Sequence, residues 1–73
     1  MAAPLNAKYT IELCKEGGLG AGIDGPPLDA HDDLTVARML YRMHARERRE
    51  RVVLLCDRAR VLARSDRPET MPR

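Results

Sequence analysis

From residue 9 the chain alternates. In YTIELC, Tyr9, Ile11 and Leu13 point one way and Thr10, Glu12 and Cys14 the other. Period two with β-branched and aromatic residues predicts a half-buried strand. The next fourteen residues, EGGLGAGIDGPPLD, hold five glycines and two prolines. That composition is a loop, with Leu19–Ile23 as a candidate short second strand pairing back onto the first.

Residues 29–50, DAHDDLTVARMLYRMHARERRE, change the period to that of a helix. Asp29 or Asp32 can serve as the N-cap, and acids in the first turn suit the helix dipole. At 100° per residue, Leu34, Ala37, Leu40, Tyr41 and Ala45 share one side. Val36, Met39 and Met43 widen the apolar arc to on the order of 240°, against roughly 100° for an ordinary surface helix. Arg38, Arg42, Arg46 and Arg49 occupy the remaining stripe. A helix this apolar calls for two partners. One is its own sheet. The other is a symmetry mate, which makes Val36, Met39 and Met43 the candidate homodimer interface.

Residues 51–64 allow two readings. No Gly, Pro or Asn occurs between Asp32 and Asp66, so nothing local stops the helix. Yet the seam Leu34, Ala37, Tyr41, His44 continues as Arg48 and Arg51, which spoils a coiled coil. Val52–Cys56 is apolar all round, as a strand buried on both faces must be. Ala59, Val61 and Ala63 then alternate with Arg60, Leu62 and Arg64, as in an edge strand. The hairpin reading, with CDRA as its turn, is preferred to the continuous helix. The predicted fold is therefore α+β: one small domain over residues 8–65, in which an antiparallel sheet of an N-terminal strand and a C-terminal β-hairpin packs on one long helix. Residues 1–7 and 66–73 read as flexible tails.

Composition tightens this picture. The chain has 73 residues, two Tyr and neither Phe nor Trp, so its core is thin and aliphatic and gains from a partner subunit. Two cysteines, Cys14 and Cys56, do not make a disulfide framework; inside apolar segments they behave as small hydrophobes. The N-terminus lacks the pattern of a secretory signal, and the longest apolar run, Val52–Cys56, is far short of a membrane span. A reduced, cytoplasmic protein with no membrane contact is expected.

Charge is unevenly placed. Residues 1–33 hold two Lys and six acids, whereas residues 34–73 hold eleven Arg and five acids. Such asymmetry points to an acidic partner or nucleic acid, or to attraction between the two halves within the fold or across a dimer. A GC-rich coding bias also favours Arg over Lys.

Candidate chemistry is thin. Gly20-x-Gly22-x-x-Gly25 matches the dinucleotide fingerprint, but that motif needs its third glycine to open a helix. Pro26 and Pro27 follow at once, and Pro27 keeps Pro26 out of the helical region. His31 stands among Asp29, Asp32 and Asp33, where capping explains the acids better than a metal does. Cys14, Cys56, His31 and His44 lack the short spacings of a zinc site. No cofactor, metal or catalytic residue is assigned. The arginine stripe, Arg38, Arg42, Arg46 and Arg49, is the feature with functional weight: a solvated face, or contact with an anionic partner. The expected function is a small non-enzymatic interaction or regulatory protein acting as a homodimer, its partner unidentified and an acidic protein one candidate. The alternative is a nucleic-acid-binding regulator using the stripe, disfavoured by the lack of aromatics for base stacking.

Overall fold

The computed structural model describes residues 7–67. In chain order it holds β1 (Tyr9–Leu13), a 3-10 turn (Leu19–Ala21), β2 (Asp29–His31), α1 (Leu34–Glu47), β3 (Val53–Asp57) and β4 (Arg60–Arg64). The strands form one antiparallel sheet in the order β2-β1-β3-β4. The helix lies on one face, against β1, β2 and β3. The fold is α+β, and residues 53–64 form a hairpin rather than more helix. Of the expected tails, residues 1–6 and 68–73 lie outside the described residues; Ala7 is buried.

Sheet pairing accounts for the core. β1 and β3 are the two inner strands, with Ile11 opposite Leu55 and Leu13 opposite Val53. Tyr9, Ile11, Val53 and Leu55 meet Ala37 and Tyr41 of α1 and Ala63 of β4 in one cluster. On the opposite face Leu54 and Cys56 are buried with Cys14. β3 is thus covered on both sides, as its unbroken apolar run requires.

Three boundaries differ from the sequence pattern. The second strand is Asp29–His31, not Leu19–Ile23; the latter contributes a 3-10 turn and a single bridge, Cys14 with Ile23. The N-cap is Asp33, whose Oδ1 accepts from the backbone N–H of Thr35 at 2.8 Å and of Val36 at 3.4 Å. Asp29 is inside β2, and Asp32 instead accepts from the N–H of Lys8. The helix also stops at Glu47, before Arg49. The cause is tertiary: β3 gains a strand on each side, which outweighs local propensity.

The hairpin carries a bulge. Leu55 faces Ala63 but Cys56 faces Val61, so Leu62 is extra on its strand. This breaks the expected alternation: Ala63 is buried and Val61 exposed. Arg58 takes φ 57° in the turn, a left-handed conformation that Gly or Asn adopts more readily.

The glycine-rich segment is folded back on β1. Lys15 N–H donates to Gly22 O at 2.9 Å and Asp24 N–H to Leu13 O at 2.7 Å. Gly17, Gly18, Gly22 and Gly25 all have positive φ, which side chains at these turns would strain. After Gly25 the chain enters β2, not a helix.

Two predictions follow from these contacts. Replacing Asp33 with Ala should cost about 0.5–2 kcal/mol in urea unfolding, while Asn should keep most of the cap. Burial pushes the Cys56 thiol up from 9.0 to about 11, with Glu12 and Cys14 adding smaller effects in the same direction. The unfolded chain therefore loses this proton first. Stability from Cys56 is fully present below pH 9.0 and is lost as pH rises toward 11. Denaturation midpoints at pH 8, 9 and 10 should fall in the wild type and fall less in Cys56→Ala.

Candidate anion-binding cleft

The cleft arises from the hairpin register and the reach of α1. Leu54 pairs with Arg64. One step further out, Ser65 N–H donates to Val53 O at 2.9 Å and Val53 N–H donates to Ser65 Oγ at 2.7 Å. Beyond that the chain turns, Arg67 N–H donating to Arg64 O at 3.3 Å, and Arg51, before β3, and Arg67, after β4, line one cavity. No Cα of α1 lies within 8 Å of a β4 Cα, so this side of the helix is not closed by the strand. Arg46, near the end of α1, and Arg49, just past it, complete a cavity of about 340 Å³ lined also by Tyr41, Ala45 and Ser65.

Its electrostatics are one-sided. Arg46, Arg49, Arg51 and Arg67 line it and no described acidic residue does. Two nearby carboxylates are already engaged. Asp24 pairs with Arg51 at 2.8 Å. Asp66 takes a two-pronged contact from Arg64, Nε at 2.9 Å and Nη2 at 2.6 Å. That hydrogen bonding holds the Asp66 carboxyl below its ordinary range and raises Arg64, both in the ionised form. Arg46, Arg49 and Arg67 make no side-chain hydrogen bond or ion pair among the described residues.

Arg51 is held most firmly. Its Nε and Nη2 donate to the Cys14 carbonyl at 3.2 and 2.6 Å, and Nη2 also reaches Asp24. Ser65 Oγ accepts from Val53 N–H and lies 3.4 Å from the Arg51 carbonyl. The cleft therefore offers positive charge and N–H donors, the chemistry of oxyanion recognition.

The structure divides the predicted stripe. Arg46 and Arg49 line the cleft, Arg49 from beyond the helix. Arg42 is exposed on α1, and Arg38 is half-buried. Arg51, Ser65 and Arg67 were not anticipated. The missing signal was the hairpin itself: pairing β3 with β4 draws the segments before residue 53 and after residue 64 to one end of the sheet, which a stripe on one helix does not show.

The histidines sit elsewhere. His31 Nδ1 accepts from Asp33 N–H at 3.0 Å. His44 Nε2 stands 3.4 Å from Asp29, and its Nδ1 3.0 Å from Arg48 Nη1. No group of three or more His, Cys, Asp or Glu able to hold a metal ion occurs among the described residues. Among them, too, no helix is long and apolar enough to cross a membrane.

The predicted dimer residues occupy the outer face of α1. Met39 is 64% and Met43 43% exposed, while Val36 is half-buried. On the far face of the sheet, Ile23 and Val61 are also exposed. They border a second cavity of about 350 Å³ with Leu54, Cys56, Glu12 and Arg58. No protein-family model, curated protein or solved structure matches the chain.

Proposed function

We propose that the chain is a small non-enzymatic interaction protein that receives an acidic group of a partner in the arginine cleft. One observation carries this reading: four arginines converge on a concave surface, three of them with no ion pair among the described residues. Like charges gathered this way repel, and an anion relieves that repulsion. Nucleic acid is the weaker reading. Tyr9 and Tyr41 are both buried, at 8% and 3% exposure, so no described aromatic side chain is available to stack on bases.

The protein acts in this proposal as a homodimer through the outer face of α1. Met39 and Met43 form an exposed apolar pair one helical turn apart. Burying that pair against its own symmetry mate supplies contact area that so small a core lacks.

A fluorescent oligo-glutamate peptide tests the cleft by anisotropy. Binding should weaken with salt and fall at least tenfold in the Arg46→Glu/Arg49→Glu double variant. Exposed substitutions cost within about 0.5 kcal/mol each, so that variant should stay folded. Equal binding by both proteins would remove the cleft from the function. Sedimentation equilibrium tests assembly: the wild type should be a dimer at micromolar concentration and Met39→Glu/Met43→Glu a monomer. A dimeric variant would place the interface elsewhere, and a monomeric wild type would end the proposal of assembly.

A further inference from the structure

We infer that the group this cleft takes is a phosphomonoester dianion, and that Asp24 is the positioning residue that readies Arg51 to bind it. The inference rests on the cleft reading above and adds the ligand's chemical class.

Charge and geometry favour phosphate over carboxylate. The described lining residues carry four positive charges and no negative one. A carboxylate brings one charge and two oxygens, enough for one guanidinium fork. A phosphomonoester brings nearly two charges at neutral pH and three terminal oxygens, so several forks engage it at once. Volume points the same way. About 340 Å³ is at the small end of ligand clefts, which span roughly 300–1,000 Å³. It suits a phosphoryl group and the first atoms that carry it, rather than a run of nucleotides.

Arg51 shows how the site is made ready. Three contacts fix its guanidinium: two to the Cys14 carbonyl and one to Asp24. All use Nε and Nη2. Nη1 makes no hydrogen bond among the described residues, so its two N–H groups can serve a ligand while the existing bonds persist. A donor already held in place forfeits less side-chain freedom on binding. Arg46, Arg49 and Arg67 are not tethered this way. Arg51 is thus the fixed point of the cleft, and Asp24, delivered by the glycine-rich segment, is what fixes it from outside the lining.

This gives Asp24 an effect of opposite sign to simple electrostatics. Removing a negative charge near an anion site should tighten anion binding. Removing the group that orients Arg51 should loosen it. Asp24→Asn separates the two.

The test is a ¹⁵N NMR titration of the full chain with inorganic phosphate, against chloride at matched ionic strength. Saturable shifts are expected in residues 45–51 and 65–67. Affinity for O-phosphoserine should rise between pH 5 and 8 as its second phosphate proton, with pKa about 6, is lost. Arg49→Gln should weaken binding about tenfold or more, the effect of losing a charged hydrogen bond. Asp24→Asn should also weaken it. Arg49 is exposed, so its variant keeps the test interpretable if Asp24→Asn disturbs the loop. O-phosphoserine and a phosphoserine peptide, beside its unphosphorylated form, identify the source. A gain for the phosphopeptide over inorganic phosphate assigns a phosphorylated protein side chain. Equal affinity assigns a free oxyanion. Non-saturable shifts, or pH-independent affinity, would overturn the phosphate class, and tighter binding by Asp24→Asn would overturn the positioning role. Binding of oligo-glutamate without phosphate would sink this inference and leave the acidic-partner reading standing; failure of both would sink both.

Discussion

A single α-helix is about 10 Å wide, and neighbouring strands lie about 4.8 Å apart. A four-stranded sheet measures about 14 Å between its outer strands on that spacing, so one helix cannot cover it. The short link from β2 to α1, Asp32 and Asp33, decides where the shortfall falls. It holds the helix toward the β2 edge, where His44 stands 3.4 Å from Asp29. The uncovered strand is then β4. The flank of α1 on that side carries Ala45 and Arg46, and the hairpin supplies Arg51 and Arg67 opposite them. The cleft is the space that one helix leaves on a sheet of this width.

The same shortage explains the other face. No second helix covers Leu54 and Cys56, so the chain uses its glycine-rich segment. Lys15 and Asp24 return hydrogen bonds to Gly22 and Leu13, and Ile23 bridges to Cys14. Positive φ at four glycines allows the segment to turn this tightly. A loop chosen for tightness also delivers Asp24 to Arg51. One segment thereby serves both faces, covering part of the far face and fixing a donor at the cleft.

Legibility tracked the range of the interactions. β1 and β3 were readable because alternation and an unbroken apolar run are local signatures of half-buried and fully buried strands. The helix was readable for the same reason. β2 was not. Asp-Ala-His is short and polar, it resembles a helix start, and it is a strand only because Tyr9, Thr10 and Ile11 pair with it. The bulge at Leu62 was equally hidden, since an alternating sequence gives no sign of an extra residue. At the cleft, Arg46 and Arg49 were found by helical spacing, although Arg49 lies past the helix. Arg51 and Arg67 are sixteen positions apart, and only the β3–β4 hairpin between them brings both to one cavity.

Charge gains meaning once the sheet order is known. The acidic N-terminal half places Asp29, Asp32 and Asp33 at the β2 edge, where they cap α1, hold Lys8 and face His44. The basic C-terminal half places Arg58, Arg60 and Arg64 in the β3–β4 hairpin, at the opposite edge. Within the fold the two halves meet where Asp24 reaches Arg51 and where Asp29 faces His44. Copies could still join acidic edge to basic edge, but such a head-to-tail contact builds a larger ring or an open chain. A two-fold contact through Met39 and Met43 closes after two copies. It also uses the outer face of α1, so neither cleft need be covered, and a homodimer of this kind would present two basic sites.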